Sequence, residues 1–279
     1  MTAIPAEVHE LIAAGALFVS NHSGGKDSQA MLIRLREIVP ARQLLVIHAA
    51  LGEVEWPGAL ELAQDQAGDA DLPFIVAKAS KTMFEMVERR FADRPEVPSW
   101  PSASTRQCTS DLKRGPIQRE VRRYAKASGF KTIVNCLGLR AEESPGRAKR
   151  KSFSRMSISN TVTTWFEWLP VHDERTEEIF WTILNAGQKP HYAYGLEIIS
   201  GRPVATLNER LSCVFCLFGS KNDIRNGARS LPWLLAKYDA KEKATGYTMH
   251  MSRIPLVELA TPVERQPDAQ ADLFAEAAA

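Results

Sequence analysis

Residues 18–28 read FVSNHSGGKDS and continue QAMLIRLREI to residue 38. The left flank, Ala16 to Ser20, is a short apolar run of the kind a buried parallel strand produces. On the right, Ala30, Met31, Leu32, Ile33 and Leu35 make an apolar stripe at helical spacing. Two glycines, a lysine, an aspartate and two serines therefore lie between a strand and a helix. Free amides at a helix N-terminus, with the positive end of the helix dipole, form an anion site. Ser23, Gly24 and Gly25 let the backbone approach a ligand, Lys26 adds positive charge, and Ser28 can donate from the first turn. Asp27 suits a helix cap, a metal ligand or a tether for the lysine. The spacing is not the G-x-x-x-x-G-K-[ST] of a Walker loop. An ordinary turn with an N-cap, for which SGG and DS are common residues, is the alternative open at this point.

Working outward, QLLVIHAA (43–50), PFIVA (73–77) and KTIVNCLG (131–138) read as further strands, with helices over 59–66 and about 117–127. Alternating strands and helices of this length predict an α/β fold: a parallel, twisted, Rossmann-like sheet with helices on both faces. Ligands in such folds gather at the carboxyl ends of the strands. Residues 92–107 are rich in Pro and Ser and read as a loop. Residues 144–164, SPGRAKRKSFSRMSISNTVTT, are basic and polar, and read as a segment that is mobile or folds over a polyanionic ligand. The division expected is a nucleotide-binding α/β domain over 1–170, a mostly helical and looped cysteine-containing region over 171–258 packed on it, and a tail over 259–279.

The chain of 279 residues is 44% hydrophobic and 24% charged, enough for a sizeable core. Thirty-five Lys and Arg against thirty-three Asp and Glu give a net charge of +2, which neither announces nor excludes nucleic acid. No apolar run approaches the roughly 18 residues of a membrane span, and the first residues lack a signal-peptide pattern, so a cytoplasmic protein is expected. In that reducing setting Cys108, Cys136, Cys213 and Cys216 are expected as thiols or metal ligands rather than disulfides. Cys136 lies in an apolar strand and reads as a small core residue.

Past the strand at 131–138, Gly138 and Arg140, followed by Glu143, Ser144 and Arg147, put charge at the same sheet edge as the glycine loop. Arginine suits phosphate or sulfate because its planar fork donates two parallel bonds. The motifs SGGKDS (23–28) and LGLRAEES (137–144), in this order, resemble those of the PP-loop superfamily of adenine-nucleotide alpha hydrolases, and within it the phosphoadenosine phosphosulfate (PAPS) reductase family. HAALGEVEWP (48–57), RQCTSDLKRGP (106–116) and LSCVFC (211–216) are similar to further segments of that family, so the likeness spans roughly residues 16–225.

The resemblance implies a pyrophosphate-binding loop of Ser23, Gly24, Gly25, Lys26, Asp27 and Ser28, with adenosine across the strand ends near His48, Gly138, Glu143 and Ser144. It places Arg140 against phosphate or sulfate with help from Lys113, makes Lys26, Asp27 and Arg140 the catalytic set, and adds Mg2+ to offset pyrophosphate charge. Cys108, Cys213 and Cys216 are expected to hold a 4Fe-4S cluster with one open iron able to carry sulfur, with zinc as the second choice; His172, His191 and His250 are loose candidates for completing a zinc site. The family's reductases carry a mobile C-terminal E-C-G-[IL]-H nucleophile, whereas this chain has no cysteine beyond Cys216. The leading expectation is an ATP-using enzyme acting at the alpha phosphate in sulfur transfer, supplied by a sulfur donor protein. Reduction of PAPS or adenylyl sulfate (APS) by Cys213 or Cys216 is the second. A nucleotide-sensing or nucleic-acid-associated module touching phosphates through residues 147–155 is the third.

Overall fold

A computed structural model describes residues 4–261. The chain runs α1 (Ala6–Ala13), β1 (Leu17–Asn21), α2 (Lys26–Ile38), β2 (Leu44–Ala50), α3 (Ala59–Asp69), β3 (Phe74–Lys78), α4 (Met83–Asp93), α5 (Gln107–Thr109) and α6 (Gly115–Ala127). It continues through β4 (Thr132–Leu137), α7 (Pro145–Ala148), β5 (Phe153–Arg155), β6 (Thr164–Trp168) and α8 (Thr176–Asn185). The hairpin β7 (Leu196–Ile199) and β8 (Arg202–Ala205) follows, then α9 (Lys221–Ser230), α10 (Pro232–Thr245) and α11 (Leu256–Ala260).

Six strands form one sheet in the order β3-β2-β1-β4-β6-β5, and β7 pairs with β8 apart from it. Every pairing in the large sheet is parallel except that of β5 with β6. The pattern along β1 shows why the sheet takes helices on both faces. Leu17 and Val19 pack with Val121 and Ala125 of α6 and with Trp165 on one side, whereas Phe18 packs with Met31, Leu32 and Leu35 of α2 and Trp168 on the other. All three β1 residues are fully buried, and each such side chain is worth roughly 1.5–3 kcal/mol. The chain moves outward from β1 through β2 to β3, then returns to the other side of β1 at β4. This reversal opens a crevice between the carboxyl ends of β1 and β4, where such sheets bind ligands.

The stretch 144–164 supplies α7, the antiparallel edge strand β5 and the first residue of β6. Its apolar anchors are few but well placed, since Phe153 stacks on Phe166 at 5.3 Å and pairs with Trp168 in the ladder. Isolated aromatics among basic and hydroxyl residues give no readable period. The loop after α4 is irregular between residues 94 and 106, as expected, and Trp100 pins it by stacking on Tyr238 at 5.5 Å and donating its ring N–H to the Tyr247 carbonyl at 2.9 Å. A separate core joins α4, α9, α10 and α11 to the Cys213–Leu217 segment. The expected tail begins inside α11, where Leu259 is buried; beyond residue 261 it lies outside the described residues. Among the described residues no helix is long and apolar enough to cross a membrane.

Candidate active site

The glycine loop joins β1 to α2, and the N-cap of α2 is Gly25, which offers no side-chain acceptor to the first-turn amides. Instead the Lys26 N–H donates to the hydroxyl of Tyr194 at 3.0 Å. Gly24 has φ +73°, and a Cβ there would sit 2.5 Å from the Ala59 carbonyl oxygen, so only glycine fits beside α3. The loop is closed on itself by Ser28, whose hydroxyl donates to the Gly25 carbonyl at 2.8 Å and accepts from the Ser23 N–H at 3.2 Å. Beneath it, His22 accepts the Gly24 N–H on Nδ1 at 3.1 Å and faces Gln66 Oε1 through Nε2 at 2.5 Å. Burial above all holds the His22 imidazole down at about 4, in the neutral form that this acceptor role requires. His48 lies one layer deeper: its Nδ1 is 2.8 Å from the His22 carbonyl and its Nε2 2.9 Å from Glu55 Oε1. It supports the loop from below.

Asp27 is the hinge of the charged groups. One oxygen accepts from Lys26 Nζ at 3.2 Å and the other from Arg140 Nε at 2.6 Å. Lys26, only 1% exposed, also donates to the Glu209 carbonyl at 3.1 Å and lies 5.1 Å from the Tyr194 ring centroid. Arg140 comes to this point because Gly138 lets the end of β4 press on α2: a Cβ at Gly138 would lie 2.8 Å from the Asp27 carbonyl carbon. Four of the five Arg140 guanidinium N–H groups have acceptors: Asp27, Glu142, the Glu174 carbonyl at 3.2 Å and Thr176 Oγ1 at 3.0 Å. Glu143 accepts the Arg140 N–H at 3.0 Å and ties Arg147 and Arg210, and Ser144 caps α7 by accepting the Arg147 N–H at 3.3 Å.

Lys113 stands elsewhere, in a π-helical turn, Ser110–Arg114, between α5 and α6. Burial works against its charge, but the neighbouring Cys213, Cys216, Cys108 and Glu55 outweigh this and raise its pKa. Lys113 is thus within electrostatic reach of Cys108, Cys213 and Cys216. Two contacts bring their segments together. Glu55 bridges Cys213 in antiparallel register with the Val214 N–H on the Val54 carbonyl at 2.9 Å, and the Arg106 guanidinium lies 4.8 Å over the Phe218 ring. Burial pushes the Cys213 thiol up to about 12 and Cys108 upward as well. Cys136 is apart from them, fully buried in the core beneath β1 and β4. His172, His191 and His250 are each spent on backbone carbonyls, those of Arg147, Pro57 and Gly219.

Among the described residues no three His, Cys, Asp or Glu side chains stand together so as to hold a single metal ion. Beside the triad a cavity of about 610 Å³ opens at the ends of β2 and β3, lined in part by Leu51, Glu55, Trp56, Lys81, Leu112 and Trp233.

The fold is a Rossmann-like α/β sheet with a glycine loop between β1 and α2 at its topological reversal. The chain is similar to phosphoadenylyl-sulfate (PAPS) reductase from Candida auris, solved as a phosphate complex, at 13% identity over 69% of this chain and 85% of that one, with a TM-score of 0.44. It is similar to NH3-dependent NAD synthetase from Campylobacter jejuni at 11% identity over 94% and 96%, TM-score 0.39. It is also similar to the U34-tRNA thiolase NcsA from Methanococcus maripaludis with its [4Fe-4S] cluster, at 12% identity over 94% and 81%, TM-score 0.37. No family model matches the chain, and no curated protein matches it.

Sequence reasoning missed Tyr194, His22, Gln66, Thr176 and Arg210. Tyr194 lies in PHYAYG (190–195), where nothing in the spacing ties it to a loop some 170 residues earlier; only its burial at 0% exposure and its bond to Lys26 reveal it.

Proposed function

We propose that this protein binds ATP, as its magnesium complex, or a related adenine nucleotide, and cleaves or transfers at the alpha phosphate in the service of sulfur transfer. The observation that carries the reading is the juxtaposition of an uncapped α2 N-terminus, a buried lysine at its first position and a paired Asp27–Arg140, all at the reversal between β1 and β4. Backbone amides and Lys26 there can take up the charge that develops on a departing pyrophosphate. The Asp27 carboxylate is shared between Lys26 and Arg140, so its part is to aim Lys26 at the leaving group. Tyr194 accepts the Lys26 N–H and can turn its own O–H to donate a hydrogen bond to a phosphate oxygen.

Cys108, Cys213 and Cys216 would hold a 4Fe-4S cluster, which supplies an open iron for binding a sulfur atom. Lys113 balances the negative charge of three thiolates, and the adjoining cavity gives an acceptor room beside them. The cytoplasm is the compartment that suits such thiols. The test is anaerobic purification, iron and acid-labile sulfide analysis, and pyrophosphate release from ATP compared with sulfite release from PAPS. Iron near four per chain with pyrophosphate release supports the reading. Sulfite release in place of pyrophosphate replaces it by sulfonucleotide reduction.

A further inference from the structure

With Arg140 engaged by Asp27, the phosphates beyond the alpha position need other cations. Arg147 and Arg210 reach the same carboxylate from two different parts of the chain. Arg147 Nη1 binds Glu143 Oε2, and Arg210 Nε lies 3.2 Å from Glu143 Oε1. Glu143 is almost fully buried, at 6% side-chain exposure, whereas the arginines remain 25% and 38% exposed. Two guanidinium charges thus share one carboxylate, and they repel each other. Among the described residues Arg147 Nε and Nη2, and both terminal nitrogens of Arg210, have no hydrogen-bond acceptor from another side chain. Their place is beside the loop: Arg147 is within Coulombic reach of Asp27, and Arg210 follows Glu209, whose carbonyl accepts from Lys26. A planar donor fork with spare N–H groups fits a phosphate bidentately.

We propose that Arg147 and Arg210, held by Glu143, form a clamp for the terminal pyrophosphate of the bound nucleotide, a proposal that rests on the nucleotide reading above and names the part of the ligand each group meets. Glu143 keeps the two forks converged, and an incoming polyphosphate relieves their repulsion. The loop amides and Lys26 meet the alpha phosphate and the bridging oxygen that leaves with the pyrophosphate, and the two arginines take its far end. The clamp recognises pyrophosphate whether it arrives free or as part of a nucleotide.

The experiment compares inorganic pyrophosphate, ATP and AMP binding by calorimetry for the wild type, Arg147→Gln, Arg210→Gln, the double variant and Lys26→Met, with a thermal melt of each. Each arginine change should weaken pyrophosphate and ATP roughly tenfold, the worth of a charge-assisted bond, and the double change more, with AMP affinity unaltered. Lys26→Met should weaken all three. A folded double variant that binds pyrophosphate and ATP like the wild type, or that loses AMP as strongly as ATP, overturns the clamp while leaving the nucleotide reading in place. Pyrophosphate bound through the arginines with neither ATP nor AMP bound keeps the clamp and removes the nucleotide reading. A wild type that binds none of the three overturns both.

Discussion

Replacing Arg140 with alanine separates a group that organises the site from one that touches the ligand. Its side chain is 3% exposed and serves four acceptors, of which Asp27 at 2.6 Å is the less exposed of the two carboxylates. Truncation leaves Asp27 facing Lys26 alone and strands the Glu174 carbonyl; Glu142 is half exposed and regains water, so it adds little. Removing one partner of a buried pair costs about 3–5 kcal/mol. At about 2–4 °C per kcal/mol for a chain of this size, the melting temperature should fall by roughly 6–20 °C. Arg140→Lys should lose less, since an ammonium can reach Asp27 but cannot also span Glu174 and Thr176. Pairing Arg140→Met with Asp27→Asn should cost less than the sum of the two, because the uncompensated charge is then gone. The assay is a differential scanning melt with pyrophosphate titration below the transition. An Arg140→Ala variant that melts like the wild type yet no longer binds pyrophosphate would refute the reasoning and return Arg140 to the ligand.

Lys26→Met, which keeps the buried stem but removes the charge, should lower pyrophosphate release from ATP by roughly a hundredfold, the loss of about 3 kcal/mol of leaving-group stabilisation, read in a coupled phosphate assay. His22 has a folded value of about 4 against 6.5, so its unfolded form takes up a proton first as pH falls. Its stability contribution is complete above pH 6.5 and is lost as pH drops toward 4, by about 3 kcal/mol in all. His22→Asn, whose side-chain oxygen can still accept the Gly24 N–H, should flatten the melting curve against pH across that window. Single Cys→Ser changes at Cys108, Cys213 and Cys216 should each strip most of the iron, whereas Cys136→Ser should keep it and lower the melting temperature, because a hydroxyl would then be buried in an apolar core; iron content and melts of the four variants check this.

The sheet was legible where strands are buried on both faces. Continuous apolar runs at 17–19, 44–47 and 133–134 mark β1, β2 and β4, and their alternation with amphipathic helices limits the topology to a few parallel arrangements. The edge was not legible. β5 and β6 are anchored by Phe153, Trp165, Phe166 and Trp168 among Ser, Thr, Arg and Lys, and an edge strand need satisfy only one neighbour. Helix α10 shows the same limit differently, since its tyrosine, leucine and charged residues do not segregate by face, and Glu242 is buried by caps on Met249 and Leu256.

The site divides along the same line. Loop residues whose type is dictated by backbone geometry, such as Gly24 at positive φ and Gly138 against Asp27, announce themselves in sequence because few alternatives fit. Charged side chains announce only that they carry charge. Arg140 is expected on phosphate by its place after a strand, and Lys113 by its place in a motif, and neither spacing shows the partners each has in the structure. Arg140 binds Asp27, Glu142, Glu174 and Thr176, while Lys113 lies within electrostatic reach of three thiols and Glu55. The guanidiniums left with open forks, Arg147 and Arg210, are separated by 63 positions and meet only through Glu143. A convergence of that kind is set by the packing of the residue 206–211 segment over the loop, through the Glu209 carbonyl on Lys26 and Leu211 against Gly25. That segment leads directly into Cys213. The glycine loop and the cysteine pair are therefore neighbours along one stretch of backbone, tied to the loop at Glu209 by Lys26 and at Leu211 by the close approach of Gly25.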